Sequence, residues 1–155
     1  MKAPLRIDIE VCRHGWATVT LSADIEVRFI ASYTPRDSIS LLAHAACALV
    51  NGLDEVKVPW NTEPVEYEFR FAAANGRARL EVHECPDHRR RSSRSKEPIA
   101  AAEGDTTEVC RAIWRGLRRL RGALPEMEYE AAWGHPFPTL PTQRLTDFFT
   151  AGASG

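Results

Sequence analysis

The amino-acid sequence predicts an α+β fold: a single antiparallel sheet of six or seven strands with two main helices packed on one face. Three observations carry this reading. Apolar and polar residues alternate along the N-terminal segment with the two-residue period of strands. Asn75-Gly76 separates two more alternating runs, the strongest hairpin signal in the chain. Behind Asp37 and Asp105 the apolar spacing switches to that of a helix. The 155 residues suit one domain, and 44% hydrophobic with 26% charged residues is the balance of a soluble globular protein. The expected domain covers 1–151, with 152–155 as a frayed tail.

In the first strand Leu5, Ile7, Ile9 and Val11 share a face. A three-residue loop, Arg13-His14-Gly15, pairs Val11 with Ala17, Ile9 with Val19 and Ile7 with Leu21, and Gly15 supplies a left-handed residue. A third strand puts Ile25, Val27, Phe29 and Ala31 on the core face. Asp37 caps a helix carrying Ile39, Leu42, Ala43, Ala46, Leu49 and Val50, which stops at Gly52. Small or apolar residues on its opposite face (Leu41, Ala45, Ala48) predict burial on more than one side. Val56, Val58 and Trp60 mark a fourth strand. Across the Asn75-Gly76 turn, Phe71 pairs with Leu80, Phe69 with Val82, Arg70 with Glu81 and Glu68 with His83. Residues 85–98 read as an exposed loop, and 99–102 as a seventh strand. Asp105-Thr106-Thr107-Glu108 has the form of a capping box opening a helix with Val109, Ile113, Leu117, Leu120 and Leu124 on one stripe, stopped by Pro125. Short helices follow at 126–132 and 142–150.

Charge is unevenly spread. Between Cys85 and Gly122 there are ten basic and five acidic residues, so the rest of the chain carries a net −6. This is an acidic body with one basic segment, not a globally basic protein. No apolar run reaches the roughly 18 residues of a membrane span. The start, Met1-Lys2-Ala3-Pro4, passes directly into the first strand, which predicts no signal peptide and a cytoplasmic protein. Cys12, Cys47, Cys85 and Cys110 form no Cys-x-x-Cys pair and read as free thiols.

Several strings resemble a known group: Gly15-Trp16-Ala17, Ser32-Tyr33, the helix Ser38–Gly52, the run from Trp60-Asn61-Thr62-Glu63-Pro64 through Val65-Glu66-Tyr67-Glu68-Phe69, and Trp133-Gly134-His135-Pro136-Phe137-Pro138. Together they resemble small, functionally uncharacterised bacterial proteins of actinobacterial type, similar to immunity proteins of toxin–antitoxin loci in size and layout. The resemblance covers residues 14–84 and a C-terminal patch. It implies a bacterial cytosolic protein and assigns no chemistry.

Each candidate site has a plainer explanation beside it. His83, Cys85 and His88 are candidate zinc ligands, but a second ligand pair is missing. A strand end with His83 paired to Glu68 explains them, so no metal and no cofactor is expected. Arg89, Arg90, Arg91, Arg94 and Lys96 in the loop, with Arg111, Arg115 and Arg118 at helical spacing, could grip phosphates. The loop has no aromatic for stacking, and solvated charge is the default. Trp60, Glu63, Tyr67 and Trp133 are candidate partner contacts, with a turn as the simpler reading around Trp60 and Glu63. Gly-x-Ser-x-Gly, His-Glu-x-x-His, Walker and Gly-x-Gly-x-x-Gly patterns are absent. The expected function is a non-catalytic, immunity-like module with an unidentified protein partner. The alternative is a nucleic-acid-associated protein using loop 89–96 and the Arg face of helix 106–124.

Overall fold

The computed structural model describes residues 4–63, 65–85 and 97–151. They form seven strands and four helices, an α+β fold with one antiparallel sheet in sequential order. β1 (Arg6–Val11), β2 (Trp16–Ser22) and β3 (Glu26–Ser32) make the first meander. β4 (Glu55–Asn61), β5 (Glu66–Ala74), β6 (Arg77–Cys85) and β7 (Ala100–Asp105) make the second. The two meanders join at a single rung, Ser32 opposite Asn61. α1 (Ser38–Val50) spans that junction in sequence. α2 (Thr106–Ala123), α3 (Glu126–Trp133) and α4 (Thr139–Ala151) follow the last strand.

Both predicted registers are observed. Ile7, Ile9 and Val11 face Leu21, Val19 and Ala17. Phe71 and Phe69 face Leu80 and Val82, while Arg70 meets Glu81 and Glu68 meets His83 on the other side. Each register places apolar residues on one side and charged ones on the other, which is what fixes it. Asn75 and Gly76 both adopt positive φ, +53° and +78°. A Cβ at Gly76 would meet nothing within 4 Å, so only its backbone resists a side chain. Gly76→Val is therefore expected to cost about 1–2 kcal/mol. Urea denaturation measures it, and an unchanged midpoint would mean the turn adopts another form.

The core lies between the sheet and α1 with α2. α1 packs on β4, and α2 touches β1 at one sheet edge and β6 and β7 at the other. The sheet therefore curls around the helix pair. Arg119 of α2 ties down β1, with Nε donating to Asp8 (2.9 Å) and Nη2 to the Ile7 carbonyl (3.0 Å). α4 packs on α1 and α2 from outside. That second layer explains the predicted burial on two sides of α1: Ala45 is buried, and the Cys47 thiol donates to the Pro141 carbonyl at 3.3 Å. Leu41 nevertheless stays exposed. The sheet's outer face carries Arg6, Asp8, Glu10, Glu26, Arg28 and the charged residues of β5 and β6, as expected of a face standing in water.

Several local expectations are corrected. Asp105 makes no capping bond. It ends β7 opposite Arg77, whose guanidinium takes its carboxylate at 3.3 Å, and the Thr106 N–H is met by the Gly76 carbonyl. The seventh strand is Ala100–Asp105 rather than 99–102, because β6 offers partners that far along. Ile25 is 60% exposed and precedes β3, beyond the reach of the helices. α4 starts at Thr139, since Pro141 is compatible with a first helical turn. Of the expected loop at 85–98, Cys85 instead ends β6, and 86–96 fall outside the described residues, as does the tail at 152–155.

Candidate functional site

α2 is amphipathic. Val109, Ile113, Leu117 and Leu120 are buried, while Arg111, Arg115 and Arg118 follow one another on the far side over about 10 Å of helix. α4 crosses here and brings two phenylalanines to the row. Phe149 stacks on Trp114, with ring centroids 5.0 Å apart and planes at 27°. Arg111 lies over Phe149 at 5.0 Å and Arg118 over Trp114 at 5.1 Å. A continuous run of contacts, Arg111–Phe149–Trp114–Arg118, thus fixes two guanidinium groups. The Trp114 indole is itself held, since its Nε1 donates to Thr146 Oγ1 at 2.9 Å. Cation–π contacts of this kind contribute about 0.5–1 kcal/mol each at a surface. Their larger effect here is to order side chains that otherwise lose rotamer freedom on binding.

The row differs from the other arginines of α2. Arg119 is paired with Asp8, and Arg121 with Glu126 at 3.2 Å. Arg111, Arg115 and Arg118 have no carboxylate partner among the described residues. Beside them Phe148 sits edge-on to Phe149 and is 43% exposed. The site is therefore three uncompensated cations next to one exposed aromatic.

No known protein family, curated protein or solved structure matches the chain.

Other predicted candidates do not join this face. Trp60 and Trp133 are both 0% exposed, so neither reaches a partner; this corrects their reading as contact residues. Trp60 packs among Phe29 and Phe69. Trp133 donates from Nε1 to Asp37 Oδ1 at 2.9 Å, the same oxygen that accepts the Ser40 N–H and caps α1. Tyr67 is half-buried against Phe29, and its hydroxyl donates to Glu84. Burial, then that carboxylate, push the phenol above its ordinary range. Glu63 is exposed in the β4–β5 turn and accepts from Asn61 Nδ2.

The metal candidates also separate. His83 is buried, and its Nε2 donates to Glu81 at 2.8 Å rather than to Glu68, its partner across the strands. The along-strand neighbour wins because Glu68 is already bound to Arg70 at 2.5 Å. Hydrogen bonds from Arg79 and then His83 hold the Glu81 carboxyl below its usual value. Burial and then Glu68 push the Cys85 thiol up, which disfavours the thiolate a metal needs. Among the described residues no group of three His, Cys, Asp or Glu side chains is placed to hold a metal. His88 lies outside those residues, as do Arg89, Arg90, Arg91, Arg94 and Lys96. All four cysteines are free, and burial pushes Cys110 up to about 12. No described helix is long and apolar enough to cross a membrane.

Phe148 and Phe149 were missed in the sequence. The pair stands out as the sequence's only adjacent phenylalanines. Its meeting with Trp114 depends on how α4 returns over α2, which no local pattern encodes.

Proposed function

We propose that this chain is a non-catalytic bacterial cytosolic protein-binding module, immunity-like in action, which occupies the surface of a toxin through the α2–α4 face. The observation that supports it is the uncompensated Arg111–Arg115–Arg118 row, with Arg111 and Arg118 fixed on rings, beside exposed Phe148. Such a face matches a partner surface that is acidic with an apolar centre. Arginine and aromatic side chains are the residues that dominate protein interfaces. Nucleic-acid binding is the second reading, favoured by the same cations. It is the weaker one because Trp114 and Phe149 are each already engaged by the other ring and by a guanidinium, whereas strand binders keep rings open for bases.

The test uses the product of the adjacent gene and a single-stranded oligonucleotide as parallel probes. Changing Arg111, Arg115 and Arg118 together to Glu should weaken binding of the protein probe about 100-fold and leave the thermal melt in place. Oligonucleotide binding with a logarithmic salt slope near −2, as expected for about three phosphate contacts, together with no binding of the protein probe, would decide for the second reading.

A further inference from the structure

The sheet has an open edge inside it, because β3 meets β4 only at Ser32–Asn61. The Ala23 N–H to Ile25 carbonyl bond and the Tyr33 N–H to Gly15 carbonyl bond set the alternation along β3. Ile25, Val27, Phe29 and Ala31 direct their backbone groups to β2. Glu26, Arg28 and Ile30 direct theirs away from it. All three are exposed. Arg28 is also the exception among the strand arginines of this face. Arg6, Arg70, Arg77 and Arg79 each hold a carboxylate, whereas Glu26 and Arg28 make no ion pair among the described residues.

We propose that this edge pairs with the same edge of a second copy, as a two-fold antiparallel rung set centred on Val27. Only residues of one parity can exchange hydrogen bonds across the axis. That places Glu26 opposite the partner's Arg28 and Arg28 opposite the partner's Glu26, with about four new backbone hydrogen bonds. Both unpaired charges then gain a counter-ion directly across the ladder. On the other side of the strand Val27 meets the partner's Val27, while Phe29 keeps its stack on Tyr67 at 4.4 Å. A one-residue slip breaks the backbone parity, and a two-residue slip sets Arg28 against the partner's Arg28.

The β7 edge does not share this property. On β7 the outward positions are Ala101, Glu103 and Asp105, and the same operation opposes Ala to Glu or Glu to Asp, with Glu103 already held by Arg79 at 3.6 Å and Asp105 by Arg77 at 3.3 Å. Alternating charge on an edge repels most foreign strands. On β3 that alternation is self-complementary. The inference is independent of the α2–α4 reading.

Two short strands bury less than the roughly 1,200 Å² of a standard interface, so dissociation constants between about 10 μM and 1 mM are expected. Sedimentation equilibrium of the full chain, from about 5 μM to about 1 mM, measures them. Glu26→Arg should weaken self-association at least about tenfold, because it sets Arg against Arg twice. Adding Arg28→Glu to it should restore association. Arg28→Pro removes an outward N–H that no described residue uses, and should abolish the dimer while the melt is kept. A chain monomeric at about 1 mM overturns the proposal, as does association that none of these variants changes. Monomeric wild type whose binding to another protein is lost in Arg28→Pro would assign the edge to a foreign strand, and also overturns it.

Discussion

Gly116→Ala is expected to destabilise the protein by about 2 kcal/mol, although alanine is the better helix former by about 1 kcal/mol. The reason is backbone against backbone. A methyl group on Gly116 would overlap the carbonyl oxygen of Ile7. A flexible side chain could move aside; a strand held to β2 by its ladder and to Arg119 by a hydrogen bond cannot do so cheaply. β1 is also a sheet edge. The Cys12 N–H to Trp16 carbonyl bond fixes its alternation, so Ile7, Ile9 and Val11 turn their backbone groups away from β2. α2 shields that side, and a larger residue at 116 lifts the shield and leaves a strand edge open to aggregation. The melting temperature should fall by about 4–8 °C. A rise would show that propensity wins and that the helix can slide by a few tenths of an ångström.

Trp133→Ala should cost about 4 kcal/mol, within the range for removing a fully buried large aromatic. The indole has two separable roles. Its ring fills the space under Tyr33, at 6.3 Å between centroids, and its Nε1 donates to Asp37 at the start of α1. Trp133→Phe keeps much of the first role and loses the second. Because Asp37 is half-buried and keeps the Ser40 N–H, this change should cost only about 1–2 kcal/mol. Urea denaturation of the two variants separates packing from hydrogen bonding. Equal losses would mean that the hydrogen bond, and not the ring, secures α3 to α1.

The strands were legible because burial is one-sided. A one-residue slip in β1–β2 or β5–β6 would send Ile7, Ile9, Phe69 and Phe71 into water, so the pattern admits one register. β7 was legible only as a place where a strand was needed: Ala100-Ala101-Ala102 carries no alternation, and β6 decides its extent. The Asp105 cap failed for a related reason, since a pairing across the sheet outbid a local bond three residues away. For the site, the helical spacing of Arg111, Arg115 and Arg118 was visible. Trp60 and Trp133 were misjudged because a sequence shows that an aromatic is present and not which layer closes over it. The core faces of β4 and α3 take both.

The single rung between β3 and β4 has a consequence for how the chain assembles and flexes. Each meander is built from sequence neighbours, so each can zip up with little loss of chain entropy. Their mutual alignment is then set by side chains instead of by a continuous ladder: those of α1 and α2, and Phe29 of β3, which packs on Trp60, Tyr67 and Phe69 across the seam. Opening the Ser32–Asn61 rung breaks one backbone pairing and leaves every other ladder intact. The sheet is therefore mechanically two leaves on a seam, and its cooperativity as a whole resides in the helices and in the aromatic cluster around Phe29 that bridge them.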